Sequence, residues 1–479
     1  MSTRRRLAAL AATGLALALP IAGCGGDEEK ATTPLGEALG YLPEDVPAVA
    51  VVETDPRHRQ WEQLDDLIER FAVAPQIRQQ GRDRLARGPL DFDRDLRPQL
   101  GNELVVGGFE REGKERRMVI ALKVKDRAAA QRDLPAKLKQ NGLESRLDGD
   151  VLVAASTREL LDESIRQGAR DDGMTEEKLD EQLGRLAGGD PLLRATSDLR
   201  KDVESKDAKE AAGELPWIGA LRRLALVGNV RADGLAIEFD VANEKVDAAD
   251  LPLAPGPAAP PVPVREGEVA LATREPGRPA ILINRLRDFL PRTKAHSAAL
   301  NDALKRIGVD LRRDLLGQFG DVGAASFTLD RTYVARADLK DPRAFAATLE
   351  KLARELPGAA RGDIGFTIEP GGGDGFYRLN ADRGRQLFVG VVGDQVALGE
   401  EAGRARDFAE ERAEPVPGAR GSLAFAADAE SLANEYIERR AGGAAALFGQ
   451  LATQPLGPLR GWAETTPTGI RGHAELKIE

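Results

Sequence analysis

The chain has 479 residues and a formal net charge of −10, with 30% charged and only 4% aromatic residues. The negative charge disfavours nucleic acid and anionic membrane surfaces as partners, because both are negatively charged themselves. Cys24 is the only cysteine, which excludes an intramolecular disulfide. The length is too great for one ordinary core and suits two domains.

The amino terminus has the pattern of a secretory signal peptide. Arg4-Arg5-Arg6 precedes an apolar stretch from Leu7 to Ile21, which is short for a membrane span. Ile21-Ala22-Gly23-Cys24 then resembles the lipobox of bacterial lipoproteins, in which the cysteine thiol takes a diacylglycerol before cleavage. The resemblance implies a signal peptide at residues 1–23, lipid attachment at Cys24, and a position on the extracytoplasmic side of the cell membrane.

An internal repeat accounts for most of the remaining chain. We predict a tether at residues 24–40, a first copy at 41–247 and a second copy at 264–479. The proline-rich residues 248–263 between them predict an extended, semi-rigid spacer that joins neither helix nor sheet. The matched pairs, which keep their order along the chain, are Asp55-Pro56 with Glu275-Pro276, Asp91 with Asp310, Asp95 with Asp314, Gly101 with Gly320, Lys125-Asp126 with Lys340-Asp341, Gly149-Asp150 with Gly393-Asp394, Asp198 with Asp428, and Gly234 with Gly469.

The predicted elements follow the same order in both copies. The first copy has strands at 48–53, 104–109, 117–124, 151–155, 224–230 and 235–241, and helices at 61–71, 128–140 and 159–168. The second copy has strands at 269–273, 395–398, 461–466 and 470–478, and helices at 281–290 and 344–356. Ser156 and Glu159 have the spacing of a capping box. Hairpins dominate, which predicts an α+β fold of two tandem homologous domains, each a mainly antiparallel sheet with helices on one face.

Each copy carries an insertion that the other lacks. In the first copy it is a charged, partly helical stretch between Gln167 and Pro216. In the second it contains the glycine-rich loop Gly371–Gly375. Insertions fall on loops, so we interpret both as surface additions, and the sequence leaves open whether either is functional.

Two near-matches to ligand-binding loops each miss a required residue. Gly108 to Glu115 nearly matches a phosphate-binding loop, but Glu115 replaces the Ser or Thr that would hold magnesium. The segment also joins two predicted strands, whereas a phosphate loop opens a helix. Asp91 to Asp95 begins like a calcium loop but lacks its glycine and its bidentate glutamate. Helix N-caps at Asp91 and Asp310 explain both copies.

The other candidates for chemistry are weak. The three histidines, His58, His296 and His473, occupy different places in the two copies. Glu53 and Asp55 form a carboxylate pair at the end of a strand, where acids are usually solvated. We therefore predict no catalytic residues, no cofactor and no metal ligands.

Residues 42–56 suggest a family. Leu42-Pro43-Glu44-Asp45, a strand and Asp55-Pro56 are similar to the opening of the bacterial domain-of-unknown-function family 3352. The duplicated layout would extend this resemblance over most of the mature chain, and the family implies no catalytic residues. The sequence favours a noncatalytic binding or scaffold protein with an unknown extracytoplasmic partner. A cell-envelope hydrolase that uses carboxylates and a carrier of lipid or another apolar ligand remain alternatives.

Overall fold

The structure is a computed structural model and describes residues 33–479 except 77, 80–90, 113–114, 171, 205–211, 214, 289–293, 330–331, 361–363, 374, 382–385 and 441–451. The chain divides into two units. Unit 1 contains the residues up to Leu199, together with Arg222–Val241 and Lys477–Glu479. Unit 2 contains Arg200–Leu221 and Ala242–Leu476.

Unit 1 is an antiparallel sheet with helices. Its helices are α1 (Pro34–Leu39), α2 (Arg59–Glu69), α3 (Arg127–Gln140), α4 (Arg158–Gly168) and α5 (Glu176–Leu183). Its strands are β1 (Ala48–Val52), β2 (Leu104–Glu112), β3 (Glu115–Lys123), β4 (Glu144–Asp148), β5 (Val151–Ala155), β6 (Leu193–Asp198), β7 (Leu221–Arg231) and β8 (Gly234–Asn243). The strands pair antiparallel in the order β4-β5-β3-β2-β1-β6-β7. The predicted α+β class is confirmed.

The core of unit 1 lies on both faces of the sheet. Alternate side chains of a strand point to opposite faces, and β5 is buried along its whole length. Val153 packs in the cluster that contains residues of α1, α4 and α5. Leu152 packs in a second cluster with Leu134 and Leu138 of α3. The expectation that the helices cover one face is therefore wrong for this unit.

Unit 2 begins with two short helices and continues with a larger antiparallel sheet. Its helices are α6 (Arg200–Glu204), α7 (Pro216–Ala220), α8 (Gly277–Asp288), α9 (Lys294–Arg306), α10 (Pro342–Ala359), α11 (Ala402–Glu410) and α12 (Ala429–Arg440). Its strands are β9 (Glu268–Arg274), β10 (Phe319–Thr328), β11 (Tyr333–Leu339), β12 (Phe366–Pro370), β13 (Phe376–Ala381), β14 (Gln386–Val392), β15 (Gln395–Gly399), β16 (Leu423–Asp428), β17 (Leu456–Thr466) and β18 (Gly469–Ile478). The pairing order is β12-β13-β14-β15-β11-β10-β9-β16-β17.

The two units share one strand order. The sequence β4-β5-β3-β2-β1-β6-β7 of unit 1 matches β14-β15-β11-β10-β9-β16-β17 of unit 2, which adds β12 and β13 at one edge. Matched aspartates also cap matched helices: Asp126 accepts the Ala129 N–H at 3.0 Å, and Asp341 accepts the Ala344 N–H at 2.9 Å. A common origin of the two copies predicts both observations and stays a prediction.

The folded part of unit 1 begins before the predicted boundary at residue 41. Leu35, Ala38 and Leu39 of α1 are buried in the core cluster of the sheet. Thr33 caps this helix by accepting the Gly36 N–H at 3.0 Å. Residues 34–40 are therefore part of the fold and not of a tether, while residues 24–32 lie outside the described residues.

The proline-rich segment belongs to unit 2 and is no free spacer. It begins with the 3₁₀-helix Ala248–Asp250 and pairs with other residues of unit 2 through isolated β-bridges, so the prediction that it joins neither helix nor sheet is wrong. Val262 is fully buried in a core cluster of that unit. Its N–H donates to the Glu414 carbonyl at 2.8 Å, and the Glu414 N–H donates back at 3.1 Å. Prolines lack the N–H that such pairing needs. Val262 lies between two prolines but has its own N–H, so it can form this pair. The sequence did not predict that a residue of this segment would be buried.

Two predicted local features differ from the structure. Thr157, not Ser156, is the N-cap of α4, because its hydroxyl accepts the Leu160 N–H at 3.2 Å. The Ser156 hydroxyl instead accepts the Met118 N–H of the neighbouring strand at 3.1 Å. The insertion after Gln167 is not a surface addition, because Leu179 and Leu183 of α5 are fully buried in the core of unit 1.

Candidate functional site

A cleft in the described part of unit 2 lies at the glycine-rich insertion. It has a volume of about 700 Å³. One wall is α10, and the other is the turn from β12 into β13, the strand pair that unit 1 lacks. The described lining residues are Glu350, Ala353, Arg354, Pro370, Gly371, Gly373, Gly375, Phe376 and Tyr377.

The glycines of this turn are required by its backbone. Gly372 and Gly373 have φ values of 87° and 88°, a region that side chains disfavour. A Cβ on Gly372 would also lie 2.7 Å from the Cβ of Ala402 and from the Phe388 ring. A Cβ on Gly373 would meet no atom within 4 Å, so the backbone there is open to an approaching ligand. The turn is thus held against α11 on one side and accessible on the other.

The cleft combines an apolar wall with a polar rim. Phe376 is buried and stacks under the Arg406 guanidinium, 5.2 Å from the ring centroid. On the rim, Arg354 lies 3.4 Å from Glu350 and 3.0 Å from Glu355. Burial, together with the charge of Glu350, raises the pKa of Tyr377, so its hydroxyl keeps its proton and can donate a hydrogen bond.

The chemistry of this cleft favours binding. Its described lining offers ring faces, a tyrosine hydroxyl, exposed backbone and one guanidinium that two carboxylates neutralise. A catalytic site needs a nucleophile or base held by an oriented partner. The described lining residues include no Ser, Thr, Cys or His. The glycine cluster was the only sequence signal for this place, and the rim residues of α10 were not foreseen.

The carboxylate pair at the end of β1 is the second place of interest. Glu53 accepts the Asp55 N–H at 2.6 Å, and burial raises the pKa of its carboxyl group. The Asp55 side chain accepts the Arg57 N–H at 3.1 Å, as in an Asx turn. The pair therefore shapes a turn, in which each carboxyl group accepts a backbone N–H.

His58 joins this turn, which the sequence did not predict. Its Nδ1 accepts the Gln60 N–H at 3.3 Å, so the imidazole caps α2. Its Nε2 lies 3.9 Å from Glu53 and 2.6 Å from Asp190. His296 and His473 lie in unit 2, on α9 and β18.

The two near-matches to ligand loops have structural roles. The segment that resembles a phosphate loop connects the paired strands β2 and β3, which confirms the predicted hairpin, although Gly113 and Lys114 lie outside the described residues. Asp91 accepts the Arg94 N–H at 2.9 Å, and Asp310 accepts the Arg313 N–H at 2.8 Å. The predicted N-caps are therefore confirmed in both copies.

The predicted lipid-attachment site cannot be placed on the fold, because Cys24 and residues 1–23 lie outside the described residues. Within the described ranges, no helix has the length and apolar character needed to cross a membrane. In the same part of the chain, no three His, Cys, Asp or Glu side chains are grouped closely enough to hold a metal ion.

Solved structures give only distant similarity. Crystal form III of TP0453 is 8% identical, with coverage of 46% of this chain and 84% of that chain and a TM-score of 0.25. Crystal form I of TP0453 is 7% identical, with coverage of 44% and 80% and a TM-score of 0.25. Similarities this low carry no argument about fold or function. No curated protein matches the chain in sequence.

A family model gives the more informative match. It is described as "Protein of unknown function (DUF3352)" and matches residues 7–153. The matched region runs from the apolar amino-terminal stretch to β5, so it covers less of the chain than the duplicated layout suggested. Over residues 7–153, the predicted resemblance to the family of unknown function DUF3352 is confirmed.

Proposed function

We propose that this protein is a noncatalytic binding module, attached through a lipid on Cys24 to the extracytoplasmic side of the cell membrane. The cleft between α10 and the Gly371–Gly375 turn is its binding surface. One observation carries the binding role: the cleft joins an apolar wall and accessible glycine backbone to an arginine that is ion-paired with two carboxylates. Such a surface suits an amphipathic ligand or a protein segment with an apolar side chain.

Binding at the cleft is tested with 8-anilinonaphthalene-1-sulfonate, a probe with an apolar ring system and one anionic group. Ala353→Phe places a ring in the cleft and should weaken binding at least about tenfold, since it displaces the probe's apolar part. Ala347→Phe, at an exposed position of the same helix, is the matched control. Equal affinity of the wild type and Ala353→Phe, or no binding by the wild type, would refute the binding role of the cleft.

The location is tested separately. Cys24→Ser removes the thiol that would carry the lipid, and without acyl chains the protein should leave the membrane fraction. Membrane fractionation and mass spectrometry of the amino terminus are the measurements. Wild-type protein recovered fully soluble with an unmodified Cys24 would contradict the proposed anchor.

A carboxylate hydrolase is the second candidate, and a single observation favours it. Glu53 has a pKa raised by burial and lies 3.9 Å from an imidazole nitrogen of His58, and perturbed carboxyl groups are typical of catalytic acids. Turnover of ester, peptide, phosphate or glycoside substrates that disappears in Glu53→Gln would favour this candidate over the binding module.

A further inference from the structure

Unit 1 contains a second cleft, on the side of the sheet where α2 meets the end of β7. Its volume is about 350 Å³, near the lower limit of small-ligand sites. Its polar lining comes from the first turns of α2 and from the last residues of β7. These side chains are Arg59, Gln60, Gln63, Asn229 and Arg231.

The walls of this cleft are fixed to each other. The Gln60 side chain is 3% exposed, and its Oε1 accepts the Val230 N–H. This bond connects α2 to β7. The other polar end of the Gln60 side chain is its amide Nε2, which is a donor, and this side chain lines the cleft. His58 caps the same helix turn at the Gln60 N–H. The site therefore exists before a ligand arrives.

The charge around the cleft is positive. Arg59 is exposed, and no carboxylate among the described residues forms an ion pair with it. Arg231 lies 3.9 Å from Glu238, and both side chains are well exposed, so solvent weakens this pair. Arg70 adds a third guanidinium group and donates to the Ala232 carbonyl at 2.6 Å. It also donates to the Ile478 carbonyl, so both of these acceptors are carbonyl oxygens and neither is a carboxylate.

A further carboxylate near the cleft, Asp233, has a cationic partner of its own. Asp233 follows the cleft residue Ala232 along the chain, and Lys477 lies 2.6 Å from its Oδ2. Lys477 is the main cause that lowers the pKa of Asp233, and the charge of Arg231 contributes less. A concentration of arginines is notable in a chain with a formal net charge of −10.

Two of the residues that line this cleft have different residues at the matched positions of unit 2. In the antiparallel strand pairs, Asp198 of β6 lies opposite Arg223 of β7, and the matched Asp428 of β16 lies opposite Pro458 of β17. These positions align β17 with β7. Counting along both strands from these pairs places Thr466 at the position of Arg231. The same count places Glu464 at the position of Asn229.

The residues of unit 2 at these places are engaged within the unit. Glu464 forms an ion pair with Arg471, with 2.8 Å between the guanidinium nitrogen and the carboxylate oxygen. The neighbouring Thr465 hydroxyl donates to the Leu253 carbonyl of the proline-rich segment at 3.2 Å. The cationic set is thus a property of unit 1 and not a consequence of the shared fold.

We propose that this cleft binds a phosphate group, as a free phosphate ester or as the headgroup of an anionic phospholipid. Guanidinium groups match the geometry of phosphate oxygens and bind them by charge-assisted hydrogen bonds. The glutamine and asparagine amides supply further donors for the oxygens of a small phosphate ester. This site is independent of the cleft in unit 2.

The test uses the mature chain, residues 24–479, with Cys24→Ser so that no acyl chain attaches it to vesicles. Calorimetric titration with inorganic phosphate and glycerol 3-phosphate at low salt measures binding of free phosphate. Flotation with phosphatidylglycerol vesicles, against phosphatidylcholine vesicles, measures binding of the headgroup. Arg59→Gln and Arg231→Gln should each weaken the affinity about tenfold, the usual size of a lost charged hydrogen bond. Arg166→Gln, at an exposed position of α4, removes the same charge and should not change binding.

Each outcome decides the proposal. Saturable titration assigns free phosphate esters, and binding confined to phosphatidylglycerol vesicles assigns the headgroup, provided that Arg59→Gln and Arg231→Gln weaken it. Absence of binding in both arms overturns the proposal. Equal weakening by Arg166→Gln also overturns it, because the effect would then come from net charge. Thermal unfolding of each variant identifies misfolding. Where Arg231→Gln is unstable, Arg59→Gln decides the test, because Arg59 is exposed on its helix.

Discussion

Asp95 offers the sharpest test of how the two copies are stabilised. Its side chain is 2% exposed and lies 2.5 Å from the Lys137 ammonium of α3 and 3.0 Å from Arg94. Its other oxygen accepts the Asp91 N–H at 2.8 Å, so one carboxylate joins a short helical turn to a long helix. Asp95→Asn keeps the shape of the side chain and removes its charge.

The expected cost follows from the burial of the carboxylate. Removing one partner of a buried ion pair costs about 3–5 kcal/mol, because the other charge stays without a partner. Lys137 retains some contact with solvent, its side chain being 23% exposed, which places the cost at the lower end. We expect a loss of about 3 kcal/mol in the free energy of unfolding. Adding Lys137→Met should recover part of this loss, since it removes the unpaired ammonium.

The pH dependence has a definite sign. Burial alone would raise the pKa of Asp95, but hydrogen bonds from Arg94 and Lys137 outweigh burial and hold that pKa well below its usual range. The stabilisation is therefore complete above the unfolded-state pKa of about 3.9 and is lost as the pH falls through the folded-state pKa. The difference between wild type and Asp95→Asn should be constant from pH 7 to about 5 and shrink below pH 4.

The second copy supplies the matched comparison. Asp314 accepts the Asp310 N–H at 2.8 Å, and a hydrogen bond from Arg313 lowers its pKa to about 2. Its side chain is 24% exposed, however, so Asp314→Asn should cost less than Asp95→Asn. Urea denaturation followed by circular dichroism at pH 7, pH 4 and pH 3 measures both variants. Equal costs for the two variants, or a cost for Asp95→Asn that does not change below pH 4, would refute the role of burial.

Two further variants test other parts of the fold. Burial raises the pKa of Glu53, so its charged form opposes folding at pH 7; Glu53→Gln should raise the midpoint of thermal unfolding there, and calorimetry should show this gain disappearing as the pH falls towards 4. Val262→Asp places a charge in a fully buried position of unit 2 and should cost more than about 3 kcal/mol in urea denaturation. Val264→Asp, at a position 45% exposed, should stay within about 0.5 kcal/mol, and equal costs would show that the proline-rich segment is not part of the core.

The sequence predicted those regular elements whose signals are local, whereas β4, β6, β10 to β14 and β16 were not predicted. β5 was predicted at its exact bounds, and the repeated aspartates Asp91 and Asp310 were predicted correctly as helix caps. A cap needs only a side chain and an N–H three residues away, both visible in one short window. The capping box predicted at Ser156 was wrong, because the Ser156 hydroxyl accepts the Met118 N–H of a strand that is far away in the sequence.

Burial of irregular segments was harder to predict, because it depends on partners distant in the chain. Nothing in the composition of residues 248–263 shows that Val262 enters a core. The rim of the unit 2 cleft had the same problem, since Arg354 and Tyr377 line one cleft only when α10 packs against β12. The glycines of that turn were visible, but their partners were not.

The differences between the two units locate function better than their common frame does. Strand order and helix caps recur in both, so these features serve folding. The cleft at Gly371–Gly375 needs β12 and β13, which only unit 2 has, and the arginine cleft needs residues that only unit 1 has. A repeated frame requires no repetition of chemistry, because loops and edge strands can change while the core is kept. If the two units arose as copies, each has acquired its own surface, and variants at one cleft should leave binding at the other unchanged.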